Sequence, residues 1–361
     1  MKTSNLKKLI AVGLILAGVA FTPNLRAAVS VFIEGGSASQ SVLFDRATNL
    51  FAGGSFTATG IGSSTVRRFQ GTSLNPTLSG YGTITLDINV ANGAIAGLQN
   101  LVNQSPAAGD TNVLGVLSIP TFVDSATSPE AVGIDSVAAN LTAYPTFVVP
   151  LVYIRNTNYP VVAAITNLTQ RQAWSLENST LPATYFGSSS TNKIYFVGRN
   201  SQAAVRTEID LNIYNTQTIN TYYTNALGQP VLDTSADPGL PAGGTVANTV
   251  LVLTNSIGTV AVQNIKSGLA AIAYEGVPYS AANVENGSYP LWGYENYYFI
   301  TTPDTGHPSA PQQAVIDAFY QSVTNAAFAV SPVFTNLFIP TASLRVHRDA
   351  DGGQIKPNPN Y

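Results

Sequence analysis

The chain has 361 residues, 45% of them apolar and 10% charged, with a net charge of −3. That is enough apolar material for two domains, and charge this sparse leaves the surface to Asn, Thr, Ser and Gly. The absence of cysteine excludes disulfides, thiolate chemistry and Cys-ligated metals. With only His307 and His347, neither a hydrolytic triad nor a zinc site is expected.

The N-terminus places Lys2, Lys7 and Lys8 before an apolar stretch, Leu9 to Phe21, that is too short for a comfortable membrane span. Ala27 and Ala28 follow a Pro-containing break. Residues 1–28 therefore read as a secretory signal peptide. Its removal takes away Lys2, Lys7, Lys8 and Arg26 and no acid, moving the net charge from −3 to −7. Nucleic acid and anionic membranes are poor partners for such a surface. The mature chain is expected to be periplasmic or secreted, not membrane-embedded, and not a lipoprotein, since no cysteine is present to carry the lipid.

VSVFIEGGSASQ (29–40) is a β-branched run ending at Gly35-Gly36, and SVLFDRATNLF (41–51) puts Val42, Leu43, Ala47 and Leu50 on one helical stripe. Residues 52–83 read as short strands and turns, 83–90 as a strand, and 92–104 as a turn opening a helix with Ile95, Leu98, Leu101 and Val102 on one face. An apolar strand ends near Asp124. The long apolar run 144–156, with its prolines, is a connecting strand. A short helix (166–176), a strand (193–198) and a helix (201–214) follow. Next come a loop (215–245), a helix and strand (243–262), a second connecting strand (268–279), an aromatic β segment (288–300) and an amphipathic helix (311–325). The polar tail from Asp349 is expected to fray. Alternating strands and helices mean α/β with a mainly parallel sheet. Two connecting strands imply two lobes joined by a double crossover, with a cleft between them.

The stretch IYFVGRNSQAAVRTEI (194–209) ends a strand on Arg199, makes a tight turn and opens a helix. A basic residue, a turn and a helix N-terminus are the parts of an oxyanion cradle. Arg67-Arg68 stays out of the site, because neighbours on a strand face opposite ways. Glu34 could line the cleft or be an ordinary turn carboxylate. Asp124, Glu130 and Asp135 lie close in sequence, but nothing sets a partner carboxylate opposite them. No enzyme activity, cofactor or metal is expected.

The order of motifs resembles the type II periplasmic solute-binding proteins, in particular the phosphate-binding branch, across most of the mature chain. Gly35, Gly36, Ser37 and Ala38 stand at that family's first glycine-rich turn. Asp124 stands at its Asp after a strand, and Arg199 at its Arg before a helix. Two places compete for its Gly-Ser-Ser turn. GIGSSTV (60–66) has the letters, Gly62, Ser63 and Ser64, but is followed by strand and turn residues. Gly93-Ala94 has poorer letters but opens a helix, whose free amides the motif needs, and is preferred.

The resemblance implies a type II binding-protein fold. Lobe 1 would take residues 29–147 and 280–361, and lobe 2 residues 148–279. It implies a ligand site of Ser37, Ala38, Gly93, Ala94, Asp124, Arg199, Ala203 and Ala204. Ser37 would donate to the ligand, Asp124 would accept a hydrogen from a protonated oxyanion, and Arg199 would make a charge-assisted fork. The implied ligand is a small oxyanion such as phosphate, or another polar solute, and the implied partner an ABC permease.

The chain departs from the pattern at Ala203-Ala204-Val205, where Ser-Gly-Thr is expected, and at Gly93-Ala94-Ile95. Up to four hydroxyl donors are missing, each worth about 1.5–3 kcal/mol toward a charged ligand. Two readings follow. One is a solute receptor. The other is a secreted structural or adhesion protein that keeps the fold, with Arg199 paired to Asp124 in a dead site and Tyr222-Tyr223 or Tyr294, Tyr297 and Tyr298 as contact surface.

Overall fold

The computed structural model describes residues 27–359, except 52–53, 62, 74, 107–118, 302–306, 326–333 and 335–336. Most of the expected export signal, residues 1–26, lies outside the described residues.

Strand β1 (Val29–Gly35) is buried along nearly its whole length, as a strand covered on both faces must be. Helix α1 (Gln40–Leu50) follows and buries Val42, Leu43, Phe44, Ala47 and Leu50. Strands β2 (Phe56–Ile61), β3 (Ser63–Gly71) and β4 (Ile84–Asn89) lead to α2 (Ala94–Val102). In α2 the buried Ile95, Leu98 and Leu101 lie one turn apart. Strand β5 (Phe122–Ser125) is fully buried.

Strand β6 (Leu141–Asn156) is the long connecting strand. In the second half lie α3 (Gln170–Asn178), β7 (Lys193–Val197), α4 (Ala204–Ile213), α5 (Gly243–Val252), β8 (Ser256–Ala261) and β9 (Leu269–Ala271). Strand β10 (Trp292–Ile300) and helix α6 (Ala310–Thr324) return to the first lobe.

The main sheet runs β2-β3-β4-β1-β5-β10-β6-β8-β7. Strand β6 changes partners along its length: residues 141–150 pair with β10, and residues 151–156 with β8 and β9. It therefore belongs to both lobes, one built on β1–β5 and β10, the other on β7 and β8. The sheet is mixed rather than mainly parallel. The pairs β1–β4, β1–β5 and β7–β8 are parallel, while β2–β3–β4 and both neighbours of β10 are antiparallel. Connection length explains part of this: β2 and β3, one residue apart, pair antiparallel as a tight turn requires, whereas the parallel pairs β1–β4 and β7–β8 have helices between their strands.

Arg67 and Arg68 do face opposite ways. Arg68 forks onto Asp87 at 2.7 and 2.8 Å, and Arg67 lies 4.7 Å over the Phe44 ring. Ser63 and Ser64 begin β3, so no helix opens there, and Gly62 lies outside the described residues. The tail does not fray. Arg348 is buried, with Nη1 donating to Trp292 O at 3.2 Å and Nη2 to Asn212 Oδ1 at 3.0 Å. The polar tail from Asp349 is tied down: Asp351 accepts from Ser128 N at 2.6 Å and Lys356 pairs with His347, and just before it the Arg348 guanidinium lies 4.3 Å over the Trp292 ring, where its stem and plane are covered.

Helix α3 begins with a reciprocal capping box between Thr169 and Gln172. Thr169→Ala is expected to destabilise the protein by about 1 kcal/mol, read as a lower urea midpoint with an unchanged slope.

Candidate functional site

In an open α/β sheet, ligands gather beyond the carboxyl ends of the parallel strands, where loops lead into helix N-termini. Five strands end together here. Beyond β1 comes the turn Gly36-Ser37-Ala38, beyond β4 comes Gly93-Ala94, and beyond β5 the chain turns after Ser125. Beyond β7 comes Arg199, and beyond β8 comes Gln263.

The structure brings seven of the eight expected residues around one inter-lobe cavity. Ser37 and Ala38 come from the first turn, Gly93 and Ala94 from the start of α2, and Arg199, Ala203 and Ala204 from the other lobe. Gly36 and Val205 complete the wall. Gly93 is the N-cap of α2 with φ +92°, a conformation open to glycine and strained for other residues. Ala203 is the N-cap of α4 and offers no side-chain acceptor to the helix amides. The cavity is small, about 10 Å³, room for one water.

Arg199 is 2% exposed. Its Nε donates to Leu240 O at 3.0 Å, Nη2 to Pro241 O at 2.8 Å and Nη1 to Ser37 Oγ at 3.4 Å. Burial alone pulls its pKa down to about 10, and among the described residues no carboxylate pairs with it. The expected alternative, an Arg199–Asp124 ion pair across the cleft, is not what the structure shows. The α2 and α4 N-termini reach the same cavity, and the first amide of α5, Gly243 N, points to Ser37 Oγ at 3.4 Å. First-turn amides have no partner within their own helix and carry the positive end of its dipole. The cavity wall is thus cationic, with the apolar side chains of Ala94, Ala203 and Val205 where the resemblance implies hydroxyls.

Asp124 is the exception. It is fully buried behind the 35–39 turn, off the cavity wall. Ser39, the residue before α1, donates its hydroxyl to Asp124 Oδ2. The other oxygen, Oδ1, is buried without a hydrogen-bond partner among the described residues, and β10 brings Glu295 close to Asp124 at the Tyr297↔Asp124 register. Burial pushes Asp124 up to about 7, and pushes Glu295 well above the usual carboxylate range, with the neighbouring charge adding to it. One proton shared between the two carboxyls satisfies both. Asp124 therefore bonds Ser39 and lies apart from the other seven residues. The sequence carried no sign of this, because Glu295 lies on a strand from the far end of the chain.

The remaining candidates are structural. Glu34 is buried and accepts from Asn92 at 3.4 Å and Asn100 at 3.0 Å, which ties α2 to β1. Glu130 and Asp135 bond the local 128–141 turn. Tyr297 and Tyr298 are core residues, while Tyr223 is exposed. Reasoning from sequence missed Gln263. Its amide donates to Ser37 O at 2.7 Å and to Ala38 O, and accepts from Ser41 Oγ at 2.5 Å. The signal was positional, since it follows the carboxyl end of β8.

No family model and no curated protein matches the sequence. Solved structures do share the fold. A phosphate ABC transporter substrate-binding protein with bound phosphate from Clostridium perfringens is 14% identical, matched over 86% of this chain and 99% of its own, with a TM-score of 0.57. An ABC-type phosphate transport receptor from Vibrio cholerae is 14% identical, over 83% and 97%, with a TM-score of 0.51. The two-lobed periplasmic binding-protein fold expected from the motif order is the fold observed.

Proposed function

We propose that this chain is an exported solute-binding protein that holds a small oxyanion in the inter-lobe cavity around Arg199. One observation carries the reading: a buried guanidinium with no carboxylate partner among the described residues sits where the N-termini of α2, α4 and α5 converge. Leaving a buried charge unpaired is costly unless something compensates it, and an anion is the compensating group that amide donors and an Arg fork suit. Likeness of fold to phosphate-binding receptors agrees with this reading, and a membrane permease would be the partner. No helix among the described residues is long and apolar enough to cross a membrane.

The cavity's composition narrows the ligand. Its wall presents donors and one cation. The nearby acceptors are in use: Ser37 O and Ala38 O by Gln263, and Leu240 O and Pro241 O by Arg199. An oxyanion that has shed its protons fits this wall, whereas a hydrogen phosphate leaves its own O–H without an acceptor. Binding rather than catalysis is the role in keeping with the Asp124–Glu295 pair lying off the cavity.

Isothermal titration of the purified protein with phosphate, sulfate, nitrate and acetate tests the reading. Saturable heat with at least one anion is expected, with sulfate or a monoanion ahead of phosphate at neutral pH. Heat with none of them would leave the second reading, a secreted structural or surface protein on the same fold. That second reading would rest on the roughly one-water cavity and the missing hydroxyls.

A further inference from the structure

We infer that the two lobes latch onto each other through their own polar groups, so that the closed cleft is the resting state and a ligand enters by displacing protein hydrogen bonds. This concerns regulation of the cavity described above and rests on the anion reading only for the ligand arm of its test.

The contacts cross the cleft. Gln202 O, just before α4, accepts from Ile95 N at 3.3 Å. Ile95 N is a first-turn amide of α2, the kind of donor an anion at that helix end would use. The close approach needs Gly93, because a Cβ there would stand 2.4 Å from Gln202 O. Gln263 uses both ends of its amide on the first turn, as donor to Ser37 O and Ala38 O and as acceptor from Ser41. Thr127 Oγ1 donates to Ala204 O at 3.3 Å.

A second set lies outside the cleft, in the C-terminal segment. Asp351 accepts from Ser128 N, beyond β5, at 2.6 Å, and Arg348 links Trp292 O on β10 to Asn212 on α4. Gly352 lies against Leu211 of α4, where a Cβ would come within 2.4 Å. The segment therefore straps α4 to the first lobe, and opening by a hinge in the connecting strands has to break both sets.

Where the open, binding-competent form is a minor state, the apparent dissociation constant is the intrinsic one divided by its population. Weakening the latch should therefore tighten apparent binding, not loosen it.

The cysteine-free chain allows a clean test. Cysteines introduced at the exposed Ala58 and Ala226, one on each lobe, carry spin labels for distance measurement, with and without phosphate, sulfate or acetate at millimolar concentration. The expected result is one narrow distance that none of the anions shortens. Gln263→Ala should add a population at longer distance and bind any anion that the parent binds several-fold more tightly. Gly93→Ala, which forces residue 93 away from Gln202, should lengthen the distance further. If Gly93→Ala fails to fold, Arg348→Met probes the strap independently of the cleft. A parent protein with a long or broad distance that an anion shortens would overturn the latch. Narrow distances in the parent, opened by Gln263→Ala while no anion binds any form, would uphold the latch and remove the ligand reading instead.

Discussion

Replacing Arg199 with Met is expected to abolish anion binding while leaving thermal stability within a few degrees of the parent. The side chain is buried and its charge uncompensated by any acid among the described residues, so its removal relieves a desolvation cost as well as losing hydrogen bonds. Leu240 O keeps a donor, Asn200 N at 3.3 Å, and Leu240 N keeps Gly198 O at 3.0 Å. Pro241 O loses the guanidinium, a loss offset by an apolar side chain of similar length among the alanines of the cavity. Binding has no such offset. The fork supplies the one full positive charge on the cavity wall, and its charge-assisted bonds alone are worth about 10- to 100-fold in affinity. Titration and calorimetric melting of the same sample check both halves. A variant that melts far lower would make Arg199 a structural residue, and one that binds unchanged would move the site elsewhere.

What the sequence revealed and what it hid divide along the range of the interactions. The turn at Gly93-Ala94 could be placed because its neighbourhood is local: β4 alternates just before it, and Ile95, Leu98 and Leu101 recur at helical spacing just after. That context outweighed the better letters at Gly62, Ser63 and Ser64, where β3 begins. Ala203 and Ala204 could be found for the same reason, since Arg199 ends an apolar strand and a helix follows.

Asp124 stands off the cavity wall, and its partner is remote. Its position after a strand suggests a ligand contact, yet β10 brings Glu295 beside it, 171 positions further along the chain, a pairing no local pattern encodes. Asp351 differs in the opposite sense. In sequence it belongs to a polar tail, and only its bond from Ser128 N, beside Arg348 packed on Trp292, shows that the tail is part of the body. Gln263 sits between these cases. Its residue type is unremarkable, but its place beyond β8 is the kind of position that collects functional side chains in open α/β sheets.

The Asp124–Glu295 pair carries a prediction of comparable size. In the unfolded chain both carboxyls lose their protons near pH 4. In the folded protein Asp124 holds its proton to about pH 7, and Glu295 is also pushed well up, in both cases chiefly by burial. Between these limits the folded state binds more protons than the unfolded state, so this pair's contribution to stability falls as pH rises from about 4 to 7. The double variant Asp124→Asn with Glu295→Gln keeps the shape and removes the titration. At pH 5 it should melt close to the parent. At pH 8 it should be more stable, by on the order of a few kcal/mol, because the parent must then hold a charge that no cation among the described residues pairs with. Other buried acids, Glu177 and Glu208, are also raised, so the parent's whole profile sums several groups, and the difference between parent and variant isolates this pair. Melting curves of both proteins at half-unit steps from pH 5 to 8 decide the matter. Diverging curves place the shared proton at Asp124 and Glu295, and parallel curves assign the pH dependence to the other buried acids.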